Sequence, residues 1–299
     1  MKRLISIAVC LWAFTAVLLA QSNPLVEAND KYQKGDLEGA RTLVDKAIQD
    51  KKLAETPEPW VLRGFIYKDL YKAAPDAADA GLLRDEAMAS LYTGAGLDSA
   101  KQYSDNALRA YAYLVTTVYN DAVHALNDMD DTRAITFYTK YKEALSRTDP
   151  GANFAERDID FENALGTLYT KRFNADRGQT GWYDKAVATY KQVLQQDSTN
   201  YGANYNLATL YYNRGVYNIQ QISADNDIPS IQQIQEASRA FFTLALPYML
   251  KAYQMDPTRK ETLLGLEGIH YSLQDEKQSL YYRHKYEALK QDEGKPKEP

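Results

Sequence analysis

The chain has 299 residues, of which 45% are hydrophobic and 25% charged, with a formal net charge of −5. That length can bury a substantial core, and the balance is ordinary for a folded, water-exposed protein. The acidic total offers no basic field to neutralise a phosphate backbone, so the sequence predicts no nucleic-acid partner.

The chain opens on a positive start, Met1-Lys2-Arg3, followed by an apolar run from Leu4 to Leu19 broken by Ser6 and Thr15. Polar sequence begins at Ala20-Gln21-Ser22. This is the layout of a secretory signal peptide over residues 1–20, although Leu18 stands where a cleavage site prefers a small residue. The expected location is across the inner membrane, in the periplasm or cell envelope, with membrane contact only if the segment is retained. Cys10 is the single cysteine. Once the segment is removed, no disulfide, thiolate nucleophile or cysteine metal site is possible. Loss of Lys2 and Arg3 also takes the charge from −5 to −7.

From residue 21 onward the pattern is helical and repetitive. Ala28, Gly35, Ala40, Val44 and Ala47 place small residues at helical spacing around a Lys34-Gly35-Asp36 turn. Trp60-x-x-x-Gly64-x-x-Tyr67 follows, then Leu165-Gly166-x-x-Tyr169, Leu207-Ala208-x-x-Tyr211 and Leu264-Gly265. Each opens a helix pattern that is followed by a second one containing a small residue and a bulky one four positions later. Ala134 with Tyr138, Ala186 with Tyr190, and Ala245 with Met249 are the examples. Three of these second helices close on Asp149-Pro150, Asp197-Ser198 and Asp256-Pro257. Small residues let two helix backbones approach, the aromatic one turn on fills the space beside the crossing, and proline stops the helix.

These motifs resemble the tetratricopeptide repeat (TPR), and the resemblance covers most of the chain. It implies an all-α fold, a right-handed α-solenoid of about six irregular TPR-like helical hairpins over residues 21–291. The spacing is uneven: 12 residues separate Ala28 from Ala40, but 37 separate Ala208 from Ala245. Residues 227–238 read as a loop followed by a fresh helix start. The polar stretch 283–291 suits a terminal unit facing water, and 292–299 reads as a disordered tail. Together with the export segment, the repeats resemble secreted TPR proteins of the bacterial envelope.

Motifs for chemistry are sparse. No H-E-x-x-H, G-x-S-x-G or G-x-x-x-x-G-K-[ST] pattern occurs, so no catalytic residue, cofactor or metal site is expected. Glu267-x-x-His270 has the spacing of one half of a di-metal bundle site, but its nearest counterpart, Asp121-x-x-His124, lies repeats away. Asn174-x-Asp176-x-Gly178-x-Thr180 alternates oxygen ligands as a calcium loop does, but Lys185 stands where a bidentate Glu is required. Both read better as ordinary helix surface and turn. Asn127 to Asp131 reads as a turn and cap before a helix at Thr132.

The 24 tyrosines are the remaining signal, and most fall at repeat packing positions. A second stripe runs beside the packing one: Tyr205, Thr209 and Tyr212, at i, i+4 and i+7. Its equivalents are Asn163, Thr167 and Thr170 one hairpin earlier, and Tyr119, Val123 and Leu126 before that. In the TPR family the first helices of the hairpins line a concave groove that holds a protein segment. The resemblance therefore implies a partner-binding groove at these residues for a protein or peptide. Some family members use Lys, Asn and Arg there to clamp a terminal carboxylate. This chain has Tyr205, Thr209, Asn163 and Thr167 instead, with no basic pair. The expected function is a non-catalytic binding scaffold. A structural subunit of an envelope assembly, and an enzyme or glycan-binding protein using the tyrosine strip, are the alternatives.

Overall fold

A computed structural model describes residues 23–73 and 79–293. The signal segment expected at 1–20, Cys10 and most of the tail expected at 292–299 lie outside the described residues. Thirteen helices and no strand occur among the described residues. None of these helices is long and apolar enough to cross a membrane.

The chain divides into two compact units, Met1–Thr117 and Val118–Pro299. The first holds α1 (Pro24–Gln33), α2 (Leu37–Ala47), the short α3 (Lys51–Ala54), α4 (Pro57–Ala73), α5 (Ala80–Leu97) and the first part of α6 (Ser104–Asn127). The second holds the rest of α6 and α7 (Asp131–Thr148), α8 (Ala155–Ala175), α9 (Thr180–Gln196) and α10 (Tyr201–Gln220). It is completed by α11 (Ile228–Met255), α12 (Lys260–Ser272) and α13 (Glu276–Glu293). Consecutive helices pack as hairpins: α1 on α2, α4 on α5, α8 on α9, α10 on α11 and α12 on α13. With α6 and α7, whose Tyr119, Tyr138 and Tyr141 rings pack together, six hairpins occur among the described residues, in line with the expected number of about six.

Small residues stand where the helices cross. A Cβ added to Gly64 would lie 2.5 Å from Leu91 Cγ, and one on Gly166 would lie 2.7 Å from Tyr190 Cε1. Gly215 meets Phe242 and Gly265 meets Met249 at 2.5 Å in the same way. Ala28, Ala40, Ala134, Ala186, Ala208 and Ala245 are fully buried. The bulky partners Tyr138, Tyr190 and Met249 are buried beside them, so the repeat signature is the packing code of the core.

Caps and turns fall where the side chains dictate. Gly35 adopts φ +79° in the turn between α1 and α2, a conformation that costs glycine little. Asn200 accepts from Ala203 N–H at 2.9 Å and opens α10, as its sequence position predicts. Asp130 caps α7 through Arg133 N–H, with α7 beginning at Asp131. Asp149, Asp197 and Asp256 end α7, α9 and α11, and their carboxylates then accept from Gly151, Thr199 and Thr258 N–H in the next turn. The long interval before Ala245 is a longer second helix. Asp227 is its N-cap and α11 runs 28 residues through Pro247, so the loop ends at 227 and 228–238 is helix. Its Pro229 lies in the first turn, where a missing N–H leaves no bond unmade.

Fold class follows from these features. Helical hairpins in series, with small residues at their crossings, form an all-α solenoid of the TPR-like type.

Candidate functional site

The tyrosine and threonine stripe lies on the first helices of three consecutive hairpins in the second unit. Tyr119 sits on α6, half-buried, 5.1 Å from the Tyr141 ring and 5.8 Å from the Arg157 guanidinium. Val123 is exposed one turn later and Leu126 is half-buried. On α8, Asn163 donates to Asn200 Oδ1 at 3.1 Å and so ties α8 to the start of α10. Thr167 and Thr170 turn their hydroxyls onto the Tyr190 hydroxyl at 3.3 and 3.5 Å. They also donate to the Asn163 and Gly166 carbonyls at 2.9 Å. Tyr190 is 1% exposed, and burial pushes its phenol pKa up against its hydrogen bonds with Thr167, Thr170 and Asn206. The α8 part of the stripe is therefore a polar lock within the α8–α9 hairpin, joined to α10 through Asn163 and Asn200.

On α10 the stripe is more varied. Tyr205 stacks on Tyr201 with ring centroids 5.9 Å apart, and burial raises its pKa against a hydrogen bond with Thr209. Tyr201 in turn bonds Thr262 on α12 at 2.7 Å. Tyr212 lies 5.6 Å from the Phe242 ring, and its hydroxyl would meet a Cβ on Gly268 at 2.7 Å. It therefore fills the space between α10, α11 and α12.

The same face continues one and two turns further, to Val216 and Ile219. These two residues line a cavity of about 610 Å³ with Phe242 on α11 and Tyr271 and Ser272 at the end of α12. Gln220, Gln274 and Glu276 complete the rim. Its floor is the buried Phe242, and Tyr271 stands 74% exposed at its mouth. Gln274 reaches it from the α12–α13 turn, where its backbone takes φ 63°. The stripe expected from the sequence ends at Tyr212. The signal that extends it is the i+4 and i+7 continuation of the stripe to Val216 and Ile219.

A smaller cavity, about 250 Å³, lies among α7, α8 and α9. Tyr138 donates to Asp158 there at 2.8 Å, and Lys142 bonds the same oxygen at 2.9 Å. Burial raises the Glu162 carboxyl, which accepts from Gln192 and Gln196. Donors and acceptors in this cluster are matched across α7, α8 and α9.

The two metal-like motifs have other partners. Glu267 accepts from Arg283 at 2.6 and 2.8 Å. His270 is buried, stacks on Tyr282 at 5.5 Å and places Nδ1 3.2 Å from Asp275. Asp176 receives Gly178 N–H and the Gln179 amide, which makes it a turn anchor. No group of three or more His, Cys, Asp and Glu side chains that could hold a metal occurs among the described residues.

No family model and no curated protein matches the chain. Among solved structures it is similar to a monomeric mutant of IFIT1 with Gppp-AAAA, at 19% identity and a TM-score of 0.41. That match covers 91% of this chain and 59% of the other, so the chain spans less than two thirds of its length. The human IFIT1 dimer with m7Gppp-AAAA matches at 19% identity over 88% of this chain, with a TM-score of 0.40. The human IFIT1 dimer with PPP-AAAA matches at 18% identity, with a TM-score of 0.35. One sequence expectation is corrected here. Acidic net charge is the ground for excluding a nucleic-acid partner, yet the IFIT1 structures hold m7Gppp-AAAA and PPP-AAAA. Net charge averages over a whole surface, whereas a ligand meets only the local field, so the exclusion does not stand.

Proposed function

We propose that the chain is a non-catalytic binding scaffold of the bacterial cell envelope that holds a segment of a partner protein. The observation that supports this reading most directly is the cavity bordered by Val216, Ile219, Phe242 and Tyr271. It has an apolar floor, an exposed aromatic at its mouth and a rim of amide and hydroxyl groups from Gln220, Ser272 and Gln274. Apolar depth takes an anchoring side chain, while rim amides pair with the backbone on either side of it. Tyr205 and Thr209 lie half-exposed on the face of α10 that continues past the packed Tyr212 to this cavity, so an extended segment anchored there would run back along α10. The apolar leader at residues 1–20 supports export.

A photo-crosslinker placed at Tyr271 in the exported protein, with one at Tyr281 on α13 as a control, tests the reading. The expected result is a defined protein adduct at Tyr271 that disappears when Ile219→Lys fills the mouth with charge, while the fold is kept. Adducts at both positions that are insensitive to Ile219→Lys would refute a partner site in this cavity.

A further inference from the structure

The first unit carries a second concavity of different chemistry. Phe65, Lys68 and Lys72 project from α4, and Asn106, Arg109, Ala110 and Tyr113 from α6, around a cavity of about 330 Å³. The residues recur at i, i+3 and i+7 on each helix, so two first helices of adjacent hairpins offer one face each. Three cations converge there in a chain whose net charge is −5. One is already neutralised: Lys68 pairs with Asp69, which also accepts from Tyr32 at 2.6 Å. Lys72 and Arg109 are exposed, and the Asp69 carboxylate also acts on Lys72 through space, so that Lys68 and Lys72 share one carboxylate. The rings hold the ammonium groups: Lys68 Nζ lies 5.5 Å from the Phe65 centroid and Lys72 Nζ 5.9 Å from that of Tyr113. Asn106 Oδ1 accepts from Arg109, which orients the guanidinium fork beside the cavity.

We infer that this cavity is a binding site for a small phosphate monoester, with Lys72 and Arg109 as its charge partners and Tyr113 as a flanking ring. The charge count selects the ligand class. The three cations exceed the one carboxylate shared by Lys68 and Lys72 by two charges, which matches a phosphate monoester at about −1.5 to −2 near neutral pH and leaves a carboxylate one charge short. Arginine adds two parallel N–H donors that fit adjacent phosphate oxygens, and lysine adds a point charge. This inference does not depend on the protein-segment reading, which concerns residues of the other unit.

The test is calorimetric titration of the full chain with AMP, inorganic phosphate and acetate at matched ionic strength. Saturable binding of AMP and phosphate, with acetate at least about tenfold weaker, is expected. The double variant Lys72→Met/Arg109→Met should lose this binding while its circular dichroism is unchanged, since both side chains are exposed. Ile219→Lys should leave it intact. AMP tighter than phosphate would identify a nucleoside-bearing ligand, and equal affinities would identify recognition of the phosphate group itself; either supports the site. No saturable binding, acetate binding equal to that of phosphate, or full retention by the double variant would overturn it.

Discussion

Gly94 and Gly96 stand two residues apart near the end of α5, and they predict opposite outcomes for the same substitution. A Cβ on Gly94 would lie 2.6 Å from Val61 Cγ2, 3.0 Å from Val61 N and 3.2 Å from the Pro57 carbonyl oxygen. Two of those three atoms are backbone in the first turns of α4, so they cannot move aside by changing rotamer. Alanine gains about 1 kcal/mol over glycine within a helix. Overpacking a tight contact costs about 1–3 kcal/mol, and the backbone contacts place this site at the upper end. The expected net loss for Gly94→Ala is about 2 kcal/mol. A Cβ on Gly96 meets nothing within 4 Å. Gly96→Ala should therefore stabilise by about 0.5 kcal/mol, the lower end of the propensity gain, because it is close to the helix end. Urea denaturation followed by circular dichroism resolves a difference of about 2.5 kcal/mol between the variants. If Gly94→Ala were as stable as Gly96→Ala, the claim that glycine sets the approach of α4 and α5 would be wrong.

Other outcomes can be checked in the same way. Tyr212→Ala removes a ring packed between Phe242 and Gly268 and should cost about 2 kcal/mol in a urea titration; a loss under about 0.5 kcal/mol would place Tyr212 on free surface instead. Tyr190→Phe keeps the ring and removes the hydroxyl shared by Thr167 and Thr170, for an expected loss of about 1 kcal/mol in the same assay. Alkaline stability follows the phenols. Burial, with the Asp131 carboxylate adding to it, pushes Tyr169 up to about 12. Folding thus favours the neutral phenol, so this contribution is complete below the ordinary phenol value of about 10 and is lost as pH rises towards 12. Urea midpoints measured from pH 8 to 12, alongside phenolate absorbance, should be flat and then fall. Tyr169→Phe should reduce the fall.

Several features were legible in the sequence because they depend on neighbours along the chain. Gly64, Gly166 and Ala245 mark crossings since a missing or minimal side chain is the requirement for close approach. Asn200 and the Asp residues ending α7, α9 and α11 cap helices through groups two to four residues away. The number of hairpins follows from the same local signals. The destination of the second stripe was less accessible. Period and spacing place Thr167 and Thr170 on one face of α8, but whether that face meets solvent depends on where Tyr190 is delivered by α9. The basic cavity is not legible in the sequence for a similar reason: Lys68, Lys72 and Arg109 are scattered over 42 residues and look like ordinary charged surface.

The sequence by itself determined the helices, their caps and the small residues at their crossings, all of them consequences of local stereochemistry and polarity. Only the tertiary structure decided which surfaces remain open. Packing α11 and α12 against α10 half-buries Tyr212 and leaves a hollow beyond it at Val216 and Ile219. Placing α6 beside α4 gathers separate cations around one cavity. Both depend on helices meeting across long sequence intervals, where side-chain volume and helix geometry act together and periodicity along one helix carries no information.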